Sequence, residues 1–180
     1  MPASAADALA LKVAKFDKAL HDRSAFSCGY EPIDNFLKSS LSDQIKAGMI
    51  AAYVAVAEDC PAVLGFYTLG AMGVRADLGS KKWRDSGVPD IPVVYLRVVA
   101  VRADVQGRGL GTALLIDAMK RCRGIADQMG AAAIVLDVLN DDHFERRWRF
   151  YADLGFKALD DPENAHRVYI PMSDVRATFG

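Results

Sequence analysis

Residues 93–111 constrain this chain more than any others. VVYLRVVAV (93–101) is apolar and β-branched enough to form a central strand. It stops at Arg102-Ala103-Asp104, and the turn Gln106-Gly107-Arg108-Gly109-Leu110-Gly111 follows. Residues 109–129 then carry Leu114, Leu115, Ala118, Met119, Cys122, Ile125 and Ala126 on one helical side, with Gly130 as the stop. Strand, glycine-rich turn and amphipathic helix in that order place the turn's backbone N–H groups at a helix N-terminus, where anions bind. Glycine removes the Cβ atoms that would hold a diphosphate away from those donors. On the glycines alone, the bland alternative is a tight strand-to-helix connection with no ligand.

The rest of the chain supplies a sheet for that unit. Leu11 to Ala14 reads as a short strand, and Phe26 to Tyr30 as a turn into a helical stretch through Ile33, Phe36, Leu37, Leu41 and Ile45, ending near Gly48. Residues 51–57 and 63–73 are β-rich runs joined at 58–61, an antiparallel hairpin. The polar segment from Arg75 to Asp90, with Trp83 among Lys81, Lys82 and Arg84, is an extended loop or a short helix and the expected mobile part. A strand over 132–138, a helix over 144–154 stopped by Gly155, and short strands at 156–159 and 167–170 complete the order. A hairpin combined with β-α-β crossovers gives an α/β (α+β) class, a mixed and mostly antiparallel central sheet flanked by helices. At 180 residues the chain is expected to form a single domain, 1–180.

Composition narrows the function classes. A formal net charge of −1 gives no global attraction to nucleic acid or acidic lipid. Cys28, Cys60 and Cys122 are far apart and form no CxxC pair, which argues against a disulfide framework or a zinc site and for a reducing compartment. No apolar run reaches the roughly 18 residues that a membrane span needs. The expectation is a cytoplasmic protein with no metal and no membrane.

The turn does not fit the dinucleotide fingerprint, because its glycines are spaced by two, nor the Walker pattern, because no Gly-Lys-Ser/Thr follows. Gln106, Gly109 and Gly111 do match Q/R-x-x-G-x-G/A, and Phe150-Tyr151-Ala152-Asp153-Leu154-Gly155-Phe156 matches a late FY-x-x-x-GF element. In that order and setting the chain resembles the GNAT acetyltransferases along most of its length. The resemblance implies acetyl-CoA as co-substrate, held by Gln106, Gly107, Arg108, Gly109, Leu110, Gly111 and Thr112. It implies that Val99, Ala100 and Val101 offer main-chain groups to the pantetheine arm, one N–H polarising the acetyl carbonyl. It implies direct transfer to a primary amine, with Tyr151 as the acid that protonates the leaving thiolate.

Phe26-x-Cys28-Gly29 followed by Ile33-Asp34-x-Phe36-Leu37 further resembles the start of the toxins of GNAT and ribbon-helix-helix toxin–antitoxin pairs. That resemblance implies aminoacyl-tRNA as the amine substrate, a ribbon-helix-helix antitoxin as partner, and a homodimer. Arg97 stands one position before Val98, where those toxins carry arginine, and Leu139 to Arg149 forms a longer link into the FY element. Positive surface for tRNA would come from Arg146, Arg147 and Arg149, with Lys81, Lys82 and Arg84, although such a run also suits a solvated helix face. An acetyltransferase of a small-molecule or protein amine, and a non-catalytic acyl-CoA-binding regulator, are the competing readings.

No general base is assigned. Asp137, Asp141, Asp142, His143 and Glu145 cluster after a strand, where a solvated loop and a helix cap account for them. Cys28 reads as a small buried thiol beside Gly29, not as a nucleophile, and His21 and His166 as isolated surface residues.

Overall fold

The computed structural model describes residues 10–180. The strands are β1 (Leu11–Lys15), β2 (Ala51–Ala57), β3 (Gly65–Arg75), β4 (Asp90–Val101), β5 (Ala133–Asp137), β6 (Lys157–Ala158) and β7 (Arg167–Pro171). The helices are α1 (Glu31–Asn35), α2 (Leu41–Lys46), α3 (Lys81–Arg84), α4 (Leu110–Met129), α5 (Phe144–Asp153) and α6 (Met172–Phe179). The strands form one sheet in the order β1-β2-β3-β4-β5-β7-β6. β4 and β5 run parallel, whereas β1–β2, β2–β3, β5–β7 and β6–β7 are antiparallel. The mixed, mostly antiparallel α/β class is therefore the observed one.

The chain divides into two compact units, Met1–Gly70 with Arg97–Ala118, and Ala71–Leu96 with Met119–Gly180. In the first, Phe26, Leu37, Leu41, Val54, Phe66, Val98 and Ala100 form a continuous apolar core. The apolar spacing over 33–45 predicts one helix, but a π turn at Phe36–Ser40 separates α1 from α2. Leu41 N–H donates to Phe36 O across that turn, and Leu37 and Leu41 are both fully buried. Pro32 sits in the first turn of α1, where its missing N–H costs nothing.

In the second unit, Val74, Trp83, Ile91, Val93, Ala133, Val135, Leu159 and Tyr169 pack together. The segment expected to be mobile is anchored here. A 3₁₀ turn at Ala76–Leu78 and helix α3 carry Trp83 to a ring contact with Tyr169, centroids 5.3 Å apart. Gly79 permits this, since a Cβ there would lie 2.0 Å from the Trp83 ring. Helix α6 is absent from the sequence reading. It is held on α4 by Arg123, which donates to Phe179 O at 2.9 Å, and by the Arg176–Asp127 pair at 2.8 Å.

Candidate active site

Strand β4 delivers the chain to the glycine-rich turn. Its parallel ladder with β5 pairs Val94 with Ile134 and Tyr95 with Val135, and stops ahead of Val99, Ala100 and Val101. Val99 and Val101 are half-buried and Ala100 is buried. After Val101 a 3₁₀ turn at Ala103–Val105 leads to Gln106, and α4 begins at Leu110. Gln106 to Gly109 are exposed. Gly107 and Gly109 adopt φ of 75° and 84°, a left-handed conformation that a side chain disfavours, and a Cβ on either would point into open space.

Among the described residues, no acceptor pairs with the backbone N–H groups from Gly107 to Thr112. No acidic side chain stands in the first turn of α4. A row of unpaired donors at the positive end of a twenty-residue helix, with exposed Arg108 beside it, fits an anionic diphosphate. The side chain of Gln106 turns the other way, its amide donating to Val101 O and Cys28 O, each at 2.9 Å. Val99–Val101 and Gln106–Thr112 all belong to the first unit, and Tyr151 to the second.

Tyr151 occupies the last turn of α5. Its carbonyl accepts from Leu154 N–H and Phe156 N–H, each at 3.1 Å, while Gly155 at φ 98° ends the helix. Its ring meets Phe150 and Phe156 edge-on, with centroids 5.2 and 5.8 Å away. The spacing of the FY-x-x-x-GF element is thus a helix stop that fixes one tyrosine. Among the described residues its hydroxyl has no hydrogen-bond partner, and the residue is half-buried. Burial pushes the phenol up to about 12, against a smaller opposing effect of the Arg147 guanidinium. At neutral pH it is a protonated, uncommitted donor.

The acidic run resolves into separate tasks. Asp137 accepts from Arg167 at 2.8 and 3.0 Å and from the Tyr95 hydroxyl at 2.9 Å. Burial pushes its carboxyl up, but these hydrogen bonds outweigh it and hold the group below the usual carboxylate range. Asp141 pairs with Arg147 and accepts from His143 N–H at the start of α5. Neither carboxylate is free to act as a base, and since α5 has no side-chain cap, Asp141 is a loop residue paired with Arg147 and not the expected helix cap. Because the folded-state value of Asp137 is depressed, its stabilising effect is complete above about pH 4 and is lost as pH falls through the folded value. The Tm of the wild type is expected to fall more steeply between about pH 4 and pH 2 than that of Asp137→Asn, measured by calorimetry.

The remaining candidates are inert. Burial pushes the Cys28 thiol up to about 11, and Sγ lies 3.7 Å from Tyr30 O, so it is no nucleophile. The two histidines expected to be isolated at the surface are both half-buried and engaged. His21 Nδ1 accepts from Asp17 N–H, and His166 packs edge-on against Phe144. Among the described residues no cluster of histidine, cysteine or acidic side chains could hold a metal, and no helix is long and apolar enough to cross a membrane.

A central strand that runs into a glycine turn with open N–H donors at the start of a long helix, within a mixed and mostly antiparallel sheet, suits a class of proteins that take a nucleotide-bearing co-substrate. The acetyltransferase (GNAT) domain family matches residues 50–158, more than half of the chain, and the chain belongs to that family. A Sinorhizobium fredii protein described as a probable toxin TacT is 34% identical over 169 residues, 91% of this chain and 92% of its own length. A Mycobacterium tuberculosis protein described as a tRNA-acetylating toxin is 34% identical over 161 residues, 88% of this chain and 91% of its own length. Among solved structures, a tyrosine-to-phenylalanine variant of KacT superposes with a TM-score of 0.85 at 27% identity, over 94% of this chain and 99% of that one. AtaT complexed with acetyl-methionyl-tRNAfMet does so with a TM-score of 0.83 at 27% identity, over 94% and 99%.

Proposed function

We propose that this chain acts as one acetyltransferase domain that moves an acetyl group from acetyl-CoA to the α-amino group of an aminoacyl-tRNA, as the toxin of a toxin–antitoxin pair. The observation that carries acetyl transfer is the open row of N–H donors from Gly107 to Thr112, across the turn and the start of α4, which suits the co-substrate's diphosphate. The acceptor comes from the relatives, one described as a tRNA-acetylating toxin and one solved with an acetylated aminoacyl-tRNA.

Acetyl-CoA supplies the acyl group already activated as a thioester. The chain's own groups do the rest. Gly107 to Thr112 bind phosphate through main-chain N–H, with Arg108 adding positive charge. Val99, Ala100 and Val101 offer main-chain groups along β4, and an N–H there steadies the negative charge that builds on the carbonyl oxygen. The substrate's amine is itself the nucleophile, so no covalent enzyme intermediate is needed. The Tyr151 hydroxyl gives its proton to the departing sulfur.

A cytoplasmic homodimer, silenced by a ribbon-helix-helix antitoxin, completes the reading. An AtaT variant has been solved bound to the C-terminus of its antitoxin AtaR, which supports a protein antitoxin as the silencing partner.

Exposed Arg146 and Arg149 on α5 are the cations this reading assigns to the tRNA backbone, since Arg147 is committed to Asp141. Arg146→Glu/Arg149→Glu is expected to raise KM for charged tRNA by about 10-fold or more and to flatten its salt dependence, with coenzyme A affinity unchanged. Steady-state kinetics at several salt concentrations checks this.

The test of the function is transfer of labelled acetyl from acetyl-CoA to charged and uncharged tRNA, alongside growth after induced expression. Label on charged tRNA with growth arrest is expected. Turnover on small amines or protein alone would favour a non-toxic acetyltransferase, and coenzyme A binding without turnover on any amine would favour a regulator.

A further inference from the structure

The Phe26-x-Cys28-Gly29 segment has a physical task that the acetyl-transfer reading leaves unassigned. Phe26 is buried in the first core and fixes one end of the segment. From there the chain exposes its carbonyls to the loop that precedes α4. Ala103 N–H donates to Ser27 O at 2.8 Å, and Gln106 Nε2 donates to Cys28 O at 2.9 Å. An amide NH₂ carries two hydrogens, and the second meets Val101 O, also at 2.9 Å. The two ends of the connection from β4 to the glycine turn are therefore tied to residues 27 and 28.

What holds residues 27 and 28 is Asp34. It stands in the first turn of α1, but its carboxylate reaches back past Tyr30, which makes no side-chain cap of its own. Asp34 Oδ1 accepts from Cys28 N–H at 2.8 Å, and Oδ2 accepts from the Ser27 hydroxyl at 3.1 Å. Gly29, at φ 90°, lets the chain reverse between them. Without the carboxylate, Cys28 N–H and the Ser27 hydroxyl lose their acceptor, and beyond the buried Phe26 the segment keeps only its bonds to the turn it is meant to support and the Sγ contact with Tyr30 O.

We propose that Asp34 is a positioning residue for coenzyme A binding: it holds Ser27 and Cys28 as a platform on which Gln106 seats the phosphate-binding turn. The proposal rests on the acetyl-CoA reading of that turn. Asp34 touches no ligand and acts through Cys28 and Gln106. Gln106, first residue of the signature, contributes as a brace between strand, turn and N-terminal segment. Hydrogen bonds to a charged acceptor are worth enough that losing both should weaken coenzyme A binding by about 10-fold.

Calorimetric titration with coenzyme A, with thermal melts of the same samples, tests this on the full chain. Asp34→Ala is expected to bind about 10-fold more weakly, whereas Asp34→Asn, which keeps an acceptor for Cys28 N–H, should stay within about three-fold of wild type. Asp34→Ala should add nothing to Gln106→Ala, because both cut one chain of contacts. Ile45→Ala, which thins the same core without touching the platform, should lower Tm and leave affinity as in wild type. Wild-type affinity in Asp34→Ala, additive losses in the double variant, or an equal loss in Ile45→Ala would overturn the proposal. Absence of coenzyme A binding by the wild type would instead overturn the reading beneath it.

Discussion

Tyr151→Phe is expected to lower kcat for acetyl transfer by about 100-fold or more and to leave coenzyme A affinity within about two-fold of wild type. The substitution keeps everything that places the ring. The edge-on contacts with Phe150 and Phe156 need only the aromatic carbons, and the bonds from Leu154 and Phe156 go to the backbone carbonyl. Only the hydroxyl is removed, and among the described residues it has no partner whose loss would disturb the fold. A loss of turnover without a loss of stability then reports proton donation alone. The pH profile gives a second reading. Burial pushes the phenol up to about 12, so it stays protonated across the usual assay range. The wild-type rate should rise as the acceptor amine deprotonates near pH 8, and no fall assignable to Tyr151 should appear by about pH 10. Retained turnover in Tyr151→Phe would remove the residue from the acid role.

The contrast between Tyr151 and Asp137 shows how far the sequence could be read. Tyr151 belongs to a seven-residue element whose spacing has a local cause: a helix end, a glycine with positive φ and a return hydrogen bond all fall within Tyr151–Phe156. The strand–turn–helix around Gln106 is legible for the same reason, since its periodicities are properties of neighbours in sequence. Asp137 meets Tyr95 and Arg167, which lie 42 and 30 residues away, and no local pattern announces such a meeting. Helix α6 was missed because its apolar face is short and it starts directly after Pro171, a residue more often read as a break. The π turn was missed because apolar spacing over 33–45 is compatible with an unbroken helix. The segment with Trp83 was expected to be mobile from its charges, and one buried indole ring outweighed them. Gln106 is the instructive case. The motif singles it out as a co-substrate residue, whereas in the structure its side chain braces the turn through Cys28, a partner 78 residues away.

Gly109→Val is expected to weaken coenzyme A binding by about 100-fold or more while the protein still folds. Two effects act together. At φ 84° a β-branched residue is strained, by about 1–3 kcal/mol, so the turn relaxes away from the conformation that presents its open N–H groups. The added side chain also points into open space at the N-terminus of α4, where the structure leaves room for a phosphate and where nothing lies within 4 Å of a Cβ. Because that space is open, the substitution meets no protein atom and the folding cost stays small, unlike a larger side chain at Gly79 against Trp83. Pantetheine, which lacks the diphosphate, separates the two halves of the co-substrate. If the glycine turn binds phosphate, the advantage of coenzyme A over pantetheine, large in wild type, should collapse in Gly109→Val. Should Gly109→Val weaken both ligands by the same factor, the turn shapes the whole site and is no phosphate cradle. Should it weaken neither, the diphosphate binds elsewhere and the N–H row at α4 has another purpose.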